Sequence, residues 1–282
     1  MCLLIGFIII LYVSYRLYQH FYPTPNISPN GKYILISGCD TGFGHGLAIE
    51  IDKQVKEKTQ VLHGLVNNAG IGKGGYIDWV TLELMRKIMD VNFFGHVAMT
   101  KKFLPLLIAK RDSRIVNITS VMGLITLLGM SAYCASKHAS ESFSDCLRRE
   151  MLPWGLKVSI IEPGWLRTPI IKNQDRYILD RWNELSSDVR NRWGDDFVND
   201  LVDKSIKKSS FINNAENPIK VIRALRHAVM NSKPRIRYLS DWQAKLFFYP
   251  VSMLPSWLFD IIIMKLASPS IVPAGIKNQI QD

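Results

Sequence analysis

The chain predicts an α/β fold built on a doubly wound parallel sheet, and two observations carry that expectation. Short apolar runs alternate with longer helix-prone segments, and a glycine-rich turn joins the first run to the segment that follows it. In order, strands are expected at 33–37, 62–67, 114–118 and 157–162, and helices at 44–53, 82–107 and 133–151. Such alternation covers both faces of a parallel sheet. The first strand is Tyr33-Ile34-Leu35-Ile36, stopped by Ser37-Gly38; the second, Leu62-His63-Gly64-Leu65-Val66, is stopped by Asn67-Asn68-Ala69-Gly70. Arg114-Ile115-Val116-Asn117-Ile118 runs to Ser120. Residues 165–230 carry no strand signal but hold Trp165, Ile170, Ile171, Tyr177, Leu179, Trp182 and Trp193, which suit the cap of an apolar pocket and a plain core equally.

Tyr133 and Lys137 lie four residues apart, so a helix puts them on one face. A cation beside a phenol favours the phenolate and draws its pKa down from about 10, which makes the pair an acid/base device. In Ser37-Gly38-Cys39-Asp40-Thr41-Gly42-Phe43-Gly44 the order is strand, glycine turn, helix. Glycines there let backbone approach a pyrophosphate, whose charge meets the N–H groups and positive end of the helix.

With Asn67 to Gly70, Val91-Asn92-Phe93-Phe94-Gly95, Ser120 thirteen residues before Tyr133, and Pro163-Gly164-Trp165-Leu166-Arg167-Thr168, these segments resemble the short-chain dehydrogenase/reductase family from about Gly31 to the C-terminus. The resemblance implies a Rossmann-like fold and an NAD(P)-dependent oxidoreductase. It places the catalytic roles on Asn92, Ser120, Tyr133 and Lys137. It places cofactor contacts on Gly38, Asp40, Thr41, Gly42, Phe43 and Gly44, on Asn68, Ala69 and Gly70, on Tyr133 and Lys137, and on Pro163, Gly164 and Thr168. Tyr133 would take the alcohol proton, Lys137 would support the phenolate and the cofactor ribose, Ser120 would hold the substrate oxygen, and Asn92 would anchor water behind Lys137. Thr168 would bond the nicotinamide carboxamide.

Within the family, the segments 141–150, 161–164, 204–208 and 244–250 resemble the microsomal retinol and hydroxysteroid dehydrogenases. That subfamily implies a retinoid or steroid substrate, the endoplasmic reticulum membrane, and NAD or NADP with NAD ahead; it also admits a homodimer. One departure stands out. Asn67 comes only 23 positions after Gly44, enough for one helix and a linker, whereas an intact dinucleotide half holds two more strands, roughly fifty residues, at this point. The expected domain, 30–240, is therefore truncated between 53 and 61, and it lacks the residue that reads the adenosine ribose, since Asp52 and Lys53 come too early. A direct crossover through the usual helix would also be left-handed, so either that helix changes face or the first strand is poorly held. A shortened chain of this kind suits a rival function, a membrane-bound lipid- or steroid-binding protein that has lost catalysis.

At 282 residues, 48% hydrophobic, the chain suits one α/β domain with membrane-associated segments. Cys2, Cys39, Cys134 and Cys146 show no metal spacing, and the histidines at 20, 45, 63, 96, 138 and 227 form no ligand set, so no metal is implied. Met1 to Tyr15 contain no charged side chain, and Leu17, Tyr18, Phe21 and Tyr22 extend the apolar run past Arg16, so residues 1–22 are expected to form a retained anchor helix. Residues 242–282 are expected to form a second membrane-associated segment and tail, interfacial rather than spanning, because Pro250, Pro255, Asp260 and Lys265 interrupt Leu246 to Leu266. Between Lys204 and Lys245 stand ten Lys/Arg and two acidic residues, a bias that suits an anionic membrane; with no recognition motif beside it, nucleic acid is not the expected partner. Arg16 after the anchor puts the catalytic body in the cytosol. The sequon at Asn26 would serve only a lumenal body, and that at Asn117 ends a core strand.

Overall fold

The structure, a computed structural model, describes residues 2–38 and 62–279. Five parallel strands form one sheet in chain order: β1 (Tyr33–Ile36), β2 (Leu62–Asn67), β3 (Arg114–Ile118), β4 (Lys157–Glu162) and β5 (Arg237–Leu239). Successive residues of a strand point to opposite faces, and both faces are packed. Leu65, Ile115 and Val158 meet Leu107 and Leu147 on one side. Val66, Val116 and Ile161 meet Val221, Leu225 and Val229 on the other. That two-sided burial is why β2 to β4 read as continuous apolar runs.

The helices that supply these faces are α3 (Gly95–Ile108), α4 (Ser131–Glu150) and, across the sheet, α8 (Ile219–Met230), while α2 (Leu82–Met89) packs on α4. Between α4 and α8 stand α5 (Gln174–Asn183), α6 (Ser187–Trp193) and α7 (Asp195–Val202). The helix expected over 82–107 is interrupted by a π turn at Asp90–Phe94, where the Gly95 N–H reaches back to the Asp90 carbonyl. β5 was not legible in sequence; it is three residues long and exists because β4 pairs with it. The expected helix over 44–53 and the truncation between 53 and 61 lie outside the described residues, and so does the hand of that crossover. β1 does pair directly with β2, with an irregularity between Tyr33 and Ile34. All four of its residues are only half-buried, whereas β2 to β4 are almost wholly buried.

The aromatic residues of 165–230 divide between the two roles. Trp182 and Trp193 pack with Trp79 and Phe197 in a satellite core, while Trp165, Ile170, Ile171 and Tyr177 line the main cleft. α1 (Cys2–Phe21) is one helix, as expected for residues 1–22. Its being a spanning anchor is not carried by the structure: among the described residues no helix is long and apolar enough to cross a membrane. Arg16 limits the uncharged run to fifteen residues, short of the usual twenty. Downstream of β5 the chain breaks at Pro255 before α9 (Ser256–Ala267).

Candidate active site

The carboxyl ends of β2, β3 and β4 open into a cleft of about 870 Å³. Gly38, Asn68, Ala69, Gly70, Ser120, Tyr133 and Lys137 line it, with Pro163, Gly164 and Thr168 opposite. Thus every expected site residue that the structure describes lines this cleft except Asn92. Asp40, Thr41, Gly42, Phe43 and Gly44 lie outside the described residues.

Tyr133 and Lys137 sit on the first turns of α4, and the Lys137 ammonium lies 5.6 Å from the Tyr133 ring centroid while donating to the Ile118 carbonyl at 3.0 Å. The expected lowering of the phenol is reversed. Burial pushes Tyr133 up to about 12, and the Ser120 hydrogen bond opposes this only in part. Burial also pulls Lys137 down to about 8, against the Glu141 carboxylate one turn on. Desolvation dominates both groups, and the Lys137 ammonium donates its hydrogen bond to a backbone carbonyl and not to the phenol.

Ser120 follows β3 in extended backbone and caps the short turn Val121–Gly123 by accepting from the Met122 N–H at 3.2 Å. Its hydroxyl also donates to the Pro163 carbonyl at 3.3 Å, so it ties β3's end to the Pro163-Gly164 turn. Asn92, fully buried on the π turn, accepts from the Ile71 N–H at 2.8 Å and donates to the Ile71 carbonyl and the Ser136 hydroxyl, each at 3.0 Å. Its amide therefore pins the loop after Gly70 to α4 beside Lys137, a direct bracing role that the sequence did not indicate. The extra residue of the π turn aims this side chain inward.

The Asn67 to Gly70 loop is stapled to β1's end: Asn68 donates to the carbonyls of Ser37 (2.9 Å) and Gly38 (2.7 Å), and the Ser37 hydroxyl accepts from the N–H groups of Asn68 (3.0 Å) and Ala69 (3.1 Å). Below it Asn67 donates to Asn117 at 2.8 Å, and Asn117 to Ser144 at 2.8 Å, so the Asn117 sequon is buried structure as expected. Two residues that no sequence signal marked, Asp241 and Gln243, hold the turn opposite. Asp241 accepts from the Gly164 N–H at 2.8 Å and Gln243 from the Trp165 N–H at 3.4 Å. They follow β5, which carries no strand signal of its own.

Glycine is required at two of the expected cofactor positions. Gly38 has φ +64°, and a Cβ there would stand 2.8 Å from the Ala69 Cα; at Gly164 it would stand 2.7 Å from Asp241. With Thr168 buried at the same wall, these bare backbone surfaces fit the nicotinamide and ribose end of a dinucleotide. Behind Lys137, Arg237 donates to both Glu141 and Glu162 and, at 3.1 Å, to Asp145. Burial, then the neighbouring Glu141, pushes Glu162 up to about 7.

A parallel sheet with a Tyr/Lys pair, a facing serine and a glycine-lined cleft at its carboxyl edge defines a nicotinamide-dependent oxidoreductase. Residues 49–177 match the short chain dehydrogenase family. Retinol dehydrogenase 7 of Mus musculus is 34% identical, covering 82% of this chain and 87% of the relative. The 17-beta-hydroxysteroid dehydrogenase type 6 of Bos taurus is 31% identical, covering 83% and 88%. Among solved structures, a short chain dehydrogenase from Burkholderia cenocepacia J2315 in complex with NADP shares the fold with a TM-score of 0.62 at 16% identity, covering 84% of this chain and 99% of that one. The chain belongs to the short-chain dehydrogenase family and is an NAD(P)-dependent oxidoreductase.

Proposed function

We propose that the chain is a membrane-bound dehydrogenase that interconverts a lipophilic alcohol and its ketone or aldehyde, a retinoid or a hydroxysteroid, at the endoplasmic reticulum with its catalytic body in the cytosol. The observation that carries this is the cleft itself, where Tyr133, Ser120 and Lys137 face a wall of Trp165, Ile170 and Tyr177. The relatives named above, a retinol and a hydroxysteroid dehydrogenase, support the substrate class. Membrane attachment is supported by α1, where Phe7, Ile10, Leu11, Tyr12 and Val13 are all exposed.

When bound, the nicotinamide ring gives or takes the hydride. In oxidation the Tyr133 phenolate takes the alcohol proton and becomes the phenol as the hydride leaves, in reduction the phenol gives it back, and Ser120 holds the substrate oxygen. Lys137 sits where its ammonium supports a phenolate and the cofactor ribose once it leaves the Ile118 carbonyl. Asn92 holds the loop and helix that frame this step. NAD stands ahead of NADP by subfamily resemblance.

The adenosine end is where this chain departs from its relatives. Its alignment to the mouse retinol dehydrogenase runs over 282 positions yet takes in 82% of a chain of 282 residues, so roughly fifty positions of the alignment have no residue here, the size of two strands with their connections. β1's half-buried state at the end of the described sheet supports the same conclusion. Tyr133→Phe keeps the ring and removes the proton-handling oxygen. Oxidation of retinol and of androstanediol by microsomes carrying the full chain should fall at least a hundredfold with the fold retained; a variant turning over near the wild-type rate refutes the assignment.

A further inference from the structure

The cleft does not end at the catalytic face. From Tyr133 it runs past Ile206 and Phe211 to Ile263, Leu266 and Ala267, three residues of α9. That helix is apolar on both sides. Ile263 is buried toward the cleft, whereas Trp257, Ile261 and Met264 are 65%, 53% and 52% exposed on the outside. Leu266 belongs to both surfaces, lining the cleft while 54% exposed. A helix apolar all round is stable only where nothing wet touches it. The cleft supplies the dry inner side, and the outer side needs a dry partner as well.

That partner has a charge. Leu246, Met253, Ile271 and Val272 are exposed apolar residues as well, and Lys207, Lys245 and Lys265 are exposed lysines; Lys208 is exposed but paired with Asp203, and Asp260 is the acidic residue on α9. Apolar side chains together with lysines match the acyl layer and headgroups of an anionic bilayer. The C-terminal end of α9 is also fastened to the body at the cleft's mouth. The Ser205 hydroxyl donates to the Ala267 carbonyl at 3.1 Å, the Asp200 carboxylate accepts from the N–H groups of Ser270 and Ile271, and Lys204 bonds Ser270. One helix thickness thus separates the cleft from the outside.

We propose that the outer face of α9 lies in the acyl region of an anionic bilayer and that a lipophilic alcohol passes between bilayer and cleft at Leu266. This port presupposes the lipophilic substrate proposed above. It is tested on the full chain bound to vesicles of phosphatidylcholine and phosphatidylserine. With brominated acyl chains, which quench tryptophan on contact, Trp257→Phe should lower the quenched share of emission. The second measurement is uptake of all-trans-retinol, read by energy transfer from the tryptophans, from vesicles and from detergent micelles. Trp257→Glu/Ile261→Glu charges only the outer face, since neither residue lines the cleft, and co-flotation with the vesicles checks that the variant stays bound.

The expected result is uptake from vesicles slowed at least roughly tenfold with uptake from micelles unchanged. Equal uptake from vesicles by variant and wild type overturns the port, as does quenching that Trp257→Phe leaves unaltered. Wild-type protein that takes up retinol from neither source refutes the lipophilic-substrate function and the port with it, whereas retinol taken up normally by a variant with no vesicle defect refutes the port alone.

Discussion

Replacing Asn92 with alanine measures how much of the active site is held by one buried amide. The side chain is fully buried and makes three hydrogen bonds, at 2.8, 3.0 and 3.0 Å, to the two backbone groups of Ile71 and to the Ser136 hydroxyl. Truncation leaves Ile71's N–H and C=O without these partners, while Ser136 keeps its bond to the Tyr133 carbonyl at 2.7 Å. At about 1 kcal/mol or more for each stranded group, Asn92→Ala should cost about 2–4 kcal/mol. For a domain of this size that is a fall in Tm of roughly 4–16 °C. The assay is urea unfolding in detergent followed by tryptophan fluorescence and near-ultraviolet circular dichroism. An alanine variant within about 0.5 kcal/mol of wild type would refute the bracing role.

Two further outcomes are expected. Glu162, buried against Glu141 with Arg237 and Asp145 beside them, has a folded pKa raised to about 7 from an ordinary 4.5, so the fold favours its protonated form; its stabilising share is full below about 4.5 and is lost as pH rises through about 7. Glu162→Gln should flatten that loss, so the gap in urea midpoint between variant and wild type shifts in the variant's favour from pH 5 to pH 8; parallel curves would refute the shift. NAD and NADP, titrated by tryptophan fluorescence in detergent, should both bind at least roughly tenfold more weakly than to a full-length retinol dehydrogenase and with little discrimination, since one lost set of charged hydrogen bonds already costs about 1.5–3 kcal/mol. Tight, selective binding of either would show that residues 52–60 rebuild the adenosine pocket.

What was legible in the sequence follows from how local its cause is. β2, β3 and β4 could be placed to within a residue because each is buried on both faces and stops at a local signal, a small polar cluster after β2 and β3 and Pro163-Gly164 after β4. The Tyr133/Lys137 pair could be read because a four-residue spacing on a helix fixes a shared face. Its titration could not, because desolvation depends on what the rest of the chain brings around it. β5 escaped notice because three residues beginning with an arginine have no apolar period; the arginine is there for Glu141 and Glu162, far off in sequence. Asp241 and Gln243 were invisible for the same reason, holding Gly164 and Trp165 across some eighty positions. The π turn hides inside a helical pattern, since one inserted residue changes the direction of Asn92 without disturbing the composition around it.

The chain-ordered sheet has a bearing on how the protein is made. Among the described strands each emerges from the ribosome after its neighbour, so they can be laid down from β1 toward β5 without rethreading. The last addition waits longest, because α5 to α8 must be translated between β4 and β5. Until Arg237 arrives, Glu141 and Glu162 face each other without their shared cation, and the nascent domain holds its own assembly unfinished at the spot directly behind the catalytic lysine. Closure of the sheet at β5 and the meeting of those two side chains with their shared cation are one event.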